Sequence, residues 1–292
     1  AAAERDAGAR IRQALFGPEP LPSLATPHAV AVNATSDVLA VADTNAGRVH
    51  LFDLDGPRYR AITALPGGEP LQCPIGAAWL GARVVVADSK VPAVFVVDPE
   101  TSVGTALAAE AMIRPAAVAV PPSADVVYVL DAGAHCIFEF APDGTLRRTL
   151  GRRGGGSDEF NFPSHLVADA SGLWVSDSLN ARVQRLDRDG RPVHAFGRKG
   201  DAAGDLALPK GVAVDAGGNV WVVDAQFENV QAFTAEGRLL MAFGGEGQAP
   251  GEFWLPAGAC VDARNRLWIA DSYNRRVQAF VILPDEGAEF TP

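Results

Sequence analysis

Six prolines recur along the chain, at Pro27, Pro74, Pro115, Pro163, Pro209 and Pro256, separated by 47, 41, 48, 46 and 47 residues. Each is followed 14 to 16 residues later by an aspartate that closes an apolar run: Asp43, Asp88, Asp131, Asp177, Asp224 and Asp271. The unit is clearest from Leu208 to Phe233, LPKGVAVDAGGNVWVVDAQFENVQAF. It reads as a short strand beginning at the proline, a Gly/Asn turn, a second strand ending at the aspartate, another turn and a third strand. A fourth apolar segment, for example Gly237-Arg-Leu-Leu-Met-Ala-Phe-Gly244, precedes the next proline. Four-stranded units at such a period predict an all-β fold, a six-bladed β-propeller of four-stranded antiparallel blades.

The sixth copy ends near Val281 with no fourth strand after it, whereas Ile11–Gly17 repeats at Phe16-Gly17 the pairs Phe196-Gly197 and Phe243-Gly244. The expectation is that this N-terminal strand closes the last blade. Residues 1–10 are then a flexible lead-in, 11–283 a single propeller and 284–292 a tail. Blades two and three depart most from the pattern, with a tight Trp79–Arg83 turn in one and Pro121–Asp125 replacing the Gly/Asn turn in the other.

Composition limits the function classes. A net charge of −10 disfavours general binding to nucleic acid or anionic membrane, which needs basic surface. No apolar run approaches the ~18 residues of a membrane-spanning helix. Cys73, Cys136 and Cys260 have no metal-ligand spacing and are odd in number, so they read as buried or half-buried thiols. The opening Ala-Ala-Ala, without Met, suits an export history and favours a secreted or periplasmic protein over a cytoplasmic one, although no apolar leader core is present.

Several copies resemble the NHL repeat, whose pattern is a Gly-rich loop, Pro-x-Gly-Val-Ala-Val-Asp, a Gly turn, an apolar strand ending Ala-Asp-Ser, and Asn-x-Arg-Val-Gln-x-Phe. Leu255–Phe280, LPAGACVDARNRLWIADSYNRRVQAF, follows it nearly throughout. Pro163–Leu186 and Pro209–Phe233 follow it well and Pro27–Phe52 in part. The resemblance implies the same six-bladed fold and a range of roles: binding of RNA or protein, extracellular sensing, and, in a related six-bladed group, peptide amidation by a lyase whose inner-strand histidines hold a metal.

Each candidate site has a structural counterpart reading. The loop Gly151–Ser157 has the look of a phosphate cradle, but Gly151, Gly197 and Gly244 each lie 12 residues before a proline and no Gly-Lys-Ser/Thr follows, so it reads as a blade-to-blade connection. Asp43–Arg48, Asp177–Arg182 and Asp271–Arg276 share a spacing of five. Read locally, the aspartate caps turn amides, the Asn tolerates the turn's unusual backbone and the arginine packs alongside; Asp43, Asp177, Asp224 and Asp271 are then structural turn residues. Read functionally, the arginines grip carboxylates on one face of the ring. The turn residues Leu179, Phe227 and Tyr273, with Trp254 and Arg152 in the connecting loops, complete a partner-binding face together with Arg48, Arg182 and Arg276.

His28 and His165 begin inner strands near the channel mouth and are the candidate ligands for a divalent metal. Their blades stand opposite in a ring of six, too far apart for shared ligation by bonds of ~2 Å, and no third inner-strand histidine is available. The remaining inner-strand residues read as a small, apolar channel wall without paired acids. The reading is therefore a non-enzymatic binding or scaffolding module without a cofactor, recognising a protein or extracellular polymer through its loop face, as a monomer or part of a larger assembly. The alternative is a metal-dependent lyase or hydrolase at the channel mouth.

Overall fold

The computed structural model describes residues 23–283, so the expected closing strand at 11–17, the lead-in and the tail lie outside the described residues. Six antiparallel sheets follow one another in chain order. Blades one to five have four strands each, and blade six shows three. Their inner strands are Pro27–Val32, Pro74–Leu80, Pro115–Ala119, His165–Ala168, Pro209–Val214 and Pro256–Val261. The second strands end at the six periodic aspartates. Each inner strand touches its two neighbours, and Pro27–Val32 meets Pro256–Val261, so the ring closes through the described residues alone.

Strand alternation explains the core. Successive side chains point to opposite faces, and both faces of a blade are covered by neighbouring blades. The second strand of blade one is buried throughout: Val38, Ala40 and Ala42 pack against Ala77, Val84 and Val86 of blade two, while Leu39 and Val41 pack on Ala270 of blade six. Six apolar clusters result, one per blade interface. This is why the strands read as nearly continuous Val/Ala/Leu runs.

Two backbone devices position the functional elements. Inner strands one, two, three, five and six open with a β-bulge at the residue after the proline, namely His28, Ile75, Ala116, Lys210 and Ala257. A bulge re-aims the side chain it carries. The connecting loops are pinned by a buried plug, Phe160, Leu206 or Phe253, each fully enclosed. The plug lies against Gly151, Gly197 or Gly244; at Gly151 the φ is +81° and a Cβ would stand 2.3 Å from the Phe160 ring, so both conformation and space demand glycine.

Candidate functional site

The six aspartates at the ends of the second strands are wholly buried. Each accepts amides from the connecting loop that precedes its own blade, as with Ala25 and Thr26 on Asp43 at 2.6 and 2.8 Å, Gln72 and Cys73 on Asp88 at 2.7 and 2.9 Å, and Trp254 on Asp271 at 2.9 Å. A residue one or two places further on returns a backbone N–H to the same loop, as Ser89 does to the Cys73 carbonyl at 3.0 Å and Tyr273 to the Trp254 carbonyl at 3.1 Å. Loop and turn are thereby fastened on one face of the ring. Burial alone would raise the Asp43 carboxyl, but the His50 ring and the Ala25, Thr26 and Ala46 amides outweigh it and hold the group below its ordinary range.

The arginines serve this wiring. Arg276 Nε donates to Asp271 at 2.7 Å, while its two terminal nitrogens donate to the Gln248, Ala249 and Glu252 carbonyls at 2.7–2.8 Å. Arg182 repeats the arrangement on Asp177, Gly155, Gly156 and Glu159. Asn274 and Gln278 add bonds to the same aspartate and loop. Arg48 instead turns back to the Ala46 carbonyl at 3.3 Å, and His50 stands 3.4 Å from Asp43 in its place. Arg152, 70% exposed, reaches Glu159 at 3.0 Å. The turn's left-handed residue is not the Asn: it is the one before the arginine position, Ala181, Glu228 or Arg275, with φ of 50–55°. The Asn side chains bind the loop instead.

On the face formed by these loops and turns, large apolar side chains stand open: Ile113, Phe162, Leu179, Trp254, Leu255 and Tyr273. Trp254 and Tyr273 form a tilted pair with centroids 5.6 Å apart. Phe227 is half-buried. Phe162 and Leu255 have left-handed φ of 47° and 45°. Their N–H groups are held by the preceding blades, Phe162 by His135 Nδ1 at 3.1 Å and Leu255 by Glu228 Oε1 at 3.2 Å. Arg114 lies over the Phe162 ring, 5.6 Å from its centroid.

Inside the channel, His28 Nδ1 lies 3.0 Å from the Ile75 carbonyl. A carbonyl only accepts, so this nitrogen carries the proton and Nε2 is left with a lone pair. His165 reaches across the ring. Its Nδ1 accepts the Val212 N–H of blade five at 3.4 Å, which leaves the neutral ring's proton on Nε2. A Cβ on Gly258 of blade six would stand 3.4 Å from that Nε2, so the glycine leaves room for the imidazole. Both rings are pulled down to about 4: His28 by burial and then by Lys210, His165 by burial and then by His28. Lys210 is lowered by burial and then by Arg114. Among the described residues neither imidazole, nor Lys210, nor Arg114 is in a salt bridge.

The NHL repeat family model matches residues 253–280. The chain is a six-bladed propeller with an NHL repeat in its last blade. RING finger protein nhl-1 of Caenorhabditis elegans is 38% identical over 76 residues, which is 26% of this chain and 8% of that protein. A Bacteroides thetaiotaomicron protein of unknown function superposes with a TM-score of 0.67 at 15% identity, covering 90% of this chain and 70% of that one. A catalytically inactive virginiamycin B lyase of Staphylococcus aureus, solved with quinupristin, superposes with a TM-score of 0.62 at 15% identity, covering 91% and 87%. At such identities the structural likeness is one of fold.

For this propeller the metal expectation meets a poor donor set. Among the described residues no three His, Cys, Asp or Glu side chains gather to hold a metal ion. His28 feels the charge of Lys210, a cation where a metal site places carboxylates. The blades of the two histidines are opposite, yet the rings sense one another because His165 spans the gap. The apolar wall expected of the channel is present over Val30, Ala77, Val118, Leu166 and Ala259. At its inner end the wall meets His165, and the nearby charges that act on His28 and on one another, Lys210 and Arg114, were left out by sequence reasoning. The one available signal was Lys210 after its proline where three other copies have Ile75, Ala116 and Ala257, but nothing in a strand pattern tells where a bulged side chain will point.

Proposed function

We propose that this propeller is a non-enzymatic module that docks a protein partner on its loop face around blades three, four and six. The carrying observation is the set of open apolar residues on that face, two of which, Phe162 and Leu255, are held in left-handed backbone. Such a conformation costs a bulky residue ~1–3 kcal/mol and clusters at functional surfaces. Trp254 and Tyr273 are the anchors, since rigid aromatics in a fixed loop dominate interface energies. Leu179 and Phe227 flank them, and Arg152 contributes at the edge. Arg182 and Arg276 shape the loops rather than touch the partner. The reading calls for no cofactor.

The pair Trp254→Ala/Tyr273→Ala tests it. A partner cross-linked to and purified with the native chain should be lost by the double variant, with thermal unfolding moved only slightly, as for other surface changes. Val193→Ser, on the outer rim, should retain it. Retention by the double variant would sink the reading. A second reading, a lyase with a channel site, is favoured by the two imidazoles in the channel of a fold shared with solved lyases. Loss of quinupristin on chromatography, abolished by His165→Asn, would establish that reading instead.

A further inference from the structure

The central channel of the ring is a cavity. It holds about 450 Å³, opens among the turns of Asn33–Thr35, Gly81 and Pro121–Pro122, and ends inward at His165. Its walls are Val30, Ala77, Val118, Leu166, Ala259 and their neighbours. A concave, apolar space of a few hundred Å³ with few polar groups at one end is the usual form of a small-molecule site. Here the polar end is cationic. Gly258 lies between His165 and the His28 backbone, since a Cβ there would stand 3.4 Å from His165 Nε2 and 2.6 Å from the His28 carbonyl. His28 and Lys210 are both carried on β-bulges, the charge of Lys210 acts on His28, and that of the exposed Arg114 acts on Lys210.

The chemistry of that end selects the ligand. His165 lines the inner end of the cavity, and its Nε2–H, a donor, stands beside Gly258 of blade six. Lys210 and Arg114 have donors only. No carboxylate faces either ring from the strands packed against them: blade two offers the Ile75 carbonyl, blade five the Val212 amide and Lys210, blade six Gly258. In a chain of net charge −10, Lys210 and Arg114 join two neutral imidazoles, the four groups coming from four blades, and none of them meets an acid among the described residues. The half-buried Lys210 ammonium is unpaired where a charge withdrawn from water is ordinarily paired, so the partner it lacks is an anion. The apolar barrel leading to it calls for an anion with an apolar body.

We propose that the central channel binds a small apolar monocarboxylate, its body among the valines and alanines and its carboxylate against His165, with Lys210 and His28 behind. This inference stands apart from the loop-face reading, because its test needs no protein partner. The bound carboxylate favours the imidazolium form of each ring. Both imidazoles are neutral near pH 7 in the free protein, so binding takes up protons and tightens from about pH 7 toward about pH 5 while the acid stays ionised.

The test uses the whole chain and three probes: benzoate, acetate and benzyl alcohol. Histidine ring resonances are followed during titration; with only five histidines in the sequence, His28 and His165 are assignable by single substitution. Benzoate should shift both and bind more tightly than acetate, which lacks the body, or benzyl alcohol, which lacks the charge. Lys210→Gln should weaken benzoate roughly tenfold or more, as removal of a charge-assisted hydrogen bond does. His165→Asn should do the same and abolish the pH trend. Should His165→Asn fail to fold, Lys210→Gln decides alone. Failure of benzoate to move either ring, or equal binding of benzoate and benzyl alcohol, overturns the proposal, and neither result bears on capture of a partner by Trp254 and Tyr273.

Discussion

Blades six and two follow the same chain path but hold their connecting loops by different means. In both, the aspartate that ends the second strand is fully buried and accepts loop amides, Asp271 from Trp254 and Asp88 from Gln72 and Cys73. In blade six the aspartate also receives Asn274, Arg276 and Gln278, whose remaining donors satisfy loop carbonyls. The corresponding residues of blade two are Val91, Ala93 and Phe95, which pack on the blade one–two core, and the loop before them is pinned by buried Leu65 and Leu71. A Gly-rich loop has few apolar atoms, so its backbone groups must be held by polar side chains. A loop with leucines is held by burial. The aspartate–amide clamp is common to both because the chain path itself brings loop and turn together.

The largest expected effect separates the two at that clamp. Asp271→Ala strands a half-buried Arg276 together with Asn274, Gln278 and the Trp254 amide, and breaking a buried charged pair this way costs ~3–5 kcal/mol. Asp88→Ala orphans backbone amides alone and should cost about 1–3 kcal/mol. Urea unfolding of the two variants beside the native chain measures both. Equal losses would mean that the side-chain wiring of blade six adds nothing to the clamp.

Much of this was legible in the chain. Six prolines and six aspartates at matched offsets give blade number, strand order and the buried turn carboxylates, because those depend on local chain path. The role of Arg182 and Arg276 was not legible. A spacing of five says that Arg and Asp share a turn, but the carbonyls that consume the guanidinium lie more than twenty residues upstream, across a loop whose shape is set by a buried Phe. The channel was legible as apolar and missed as cationic for the same kind of reason. His165 meets Val212 and Gly258 only because a ring of six blades brings the first residue of one inner strand within reach of two others.

The middle effect tests whether wiring and packing are true alternatives. Arg276→Met keeps the aliphatic stem and removes the fork. Loss of the charged hydrogen bonds, net of solvent competition at a side chain 29% exposed, should cost about 2 kcal/mol. Amide hydrogen exchange should quicken in Gly247–Glu252, the stretch whose carbonyls the fork holds, while the Leu65–Gln72 loop of blade two stays protected. Quickening in both would show that the loops are coupled around the ring and that the blades are not held independently.

The smallest effect concerns how one blade is fastened to the next. The residue after the aspartate is Ser272 in blade six, and its hydroxyl donates to the Pro27 carbonyl of blade one at 2.6 Å, across the seam of the ring. Thr44 and Ser178 make the same bond to Pro74 and Pro209. Blades three and five have Ala132 and Ala225 there, so the bond is an addition to blade packing and not a condition of it. Ser272→Ala should therefore cost about 1 kcal/mol, the net worth of one hydrogen bond. In blade two, Ser89 makes its backbone bond to the Cys73 carbonyl, and among the described residues its hydroxyl makes no bond to the next blade. Ser89→Ala should then leave the unfolding midpoint unmoved. A loss at Ser89 as large as that at Ser272 would place the value of this serine in its own turn, and would remove the seam bond as a difference between the two blades.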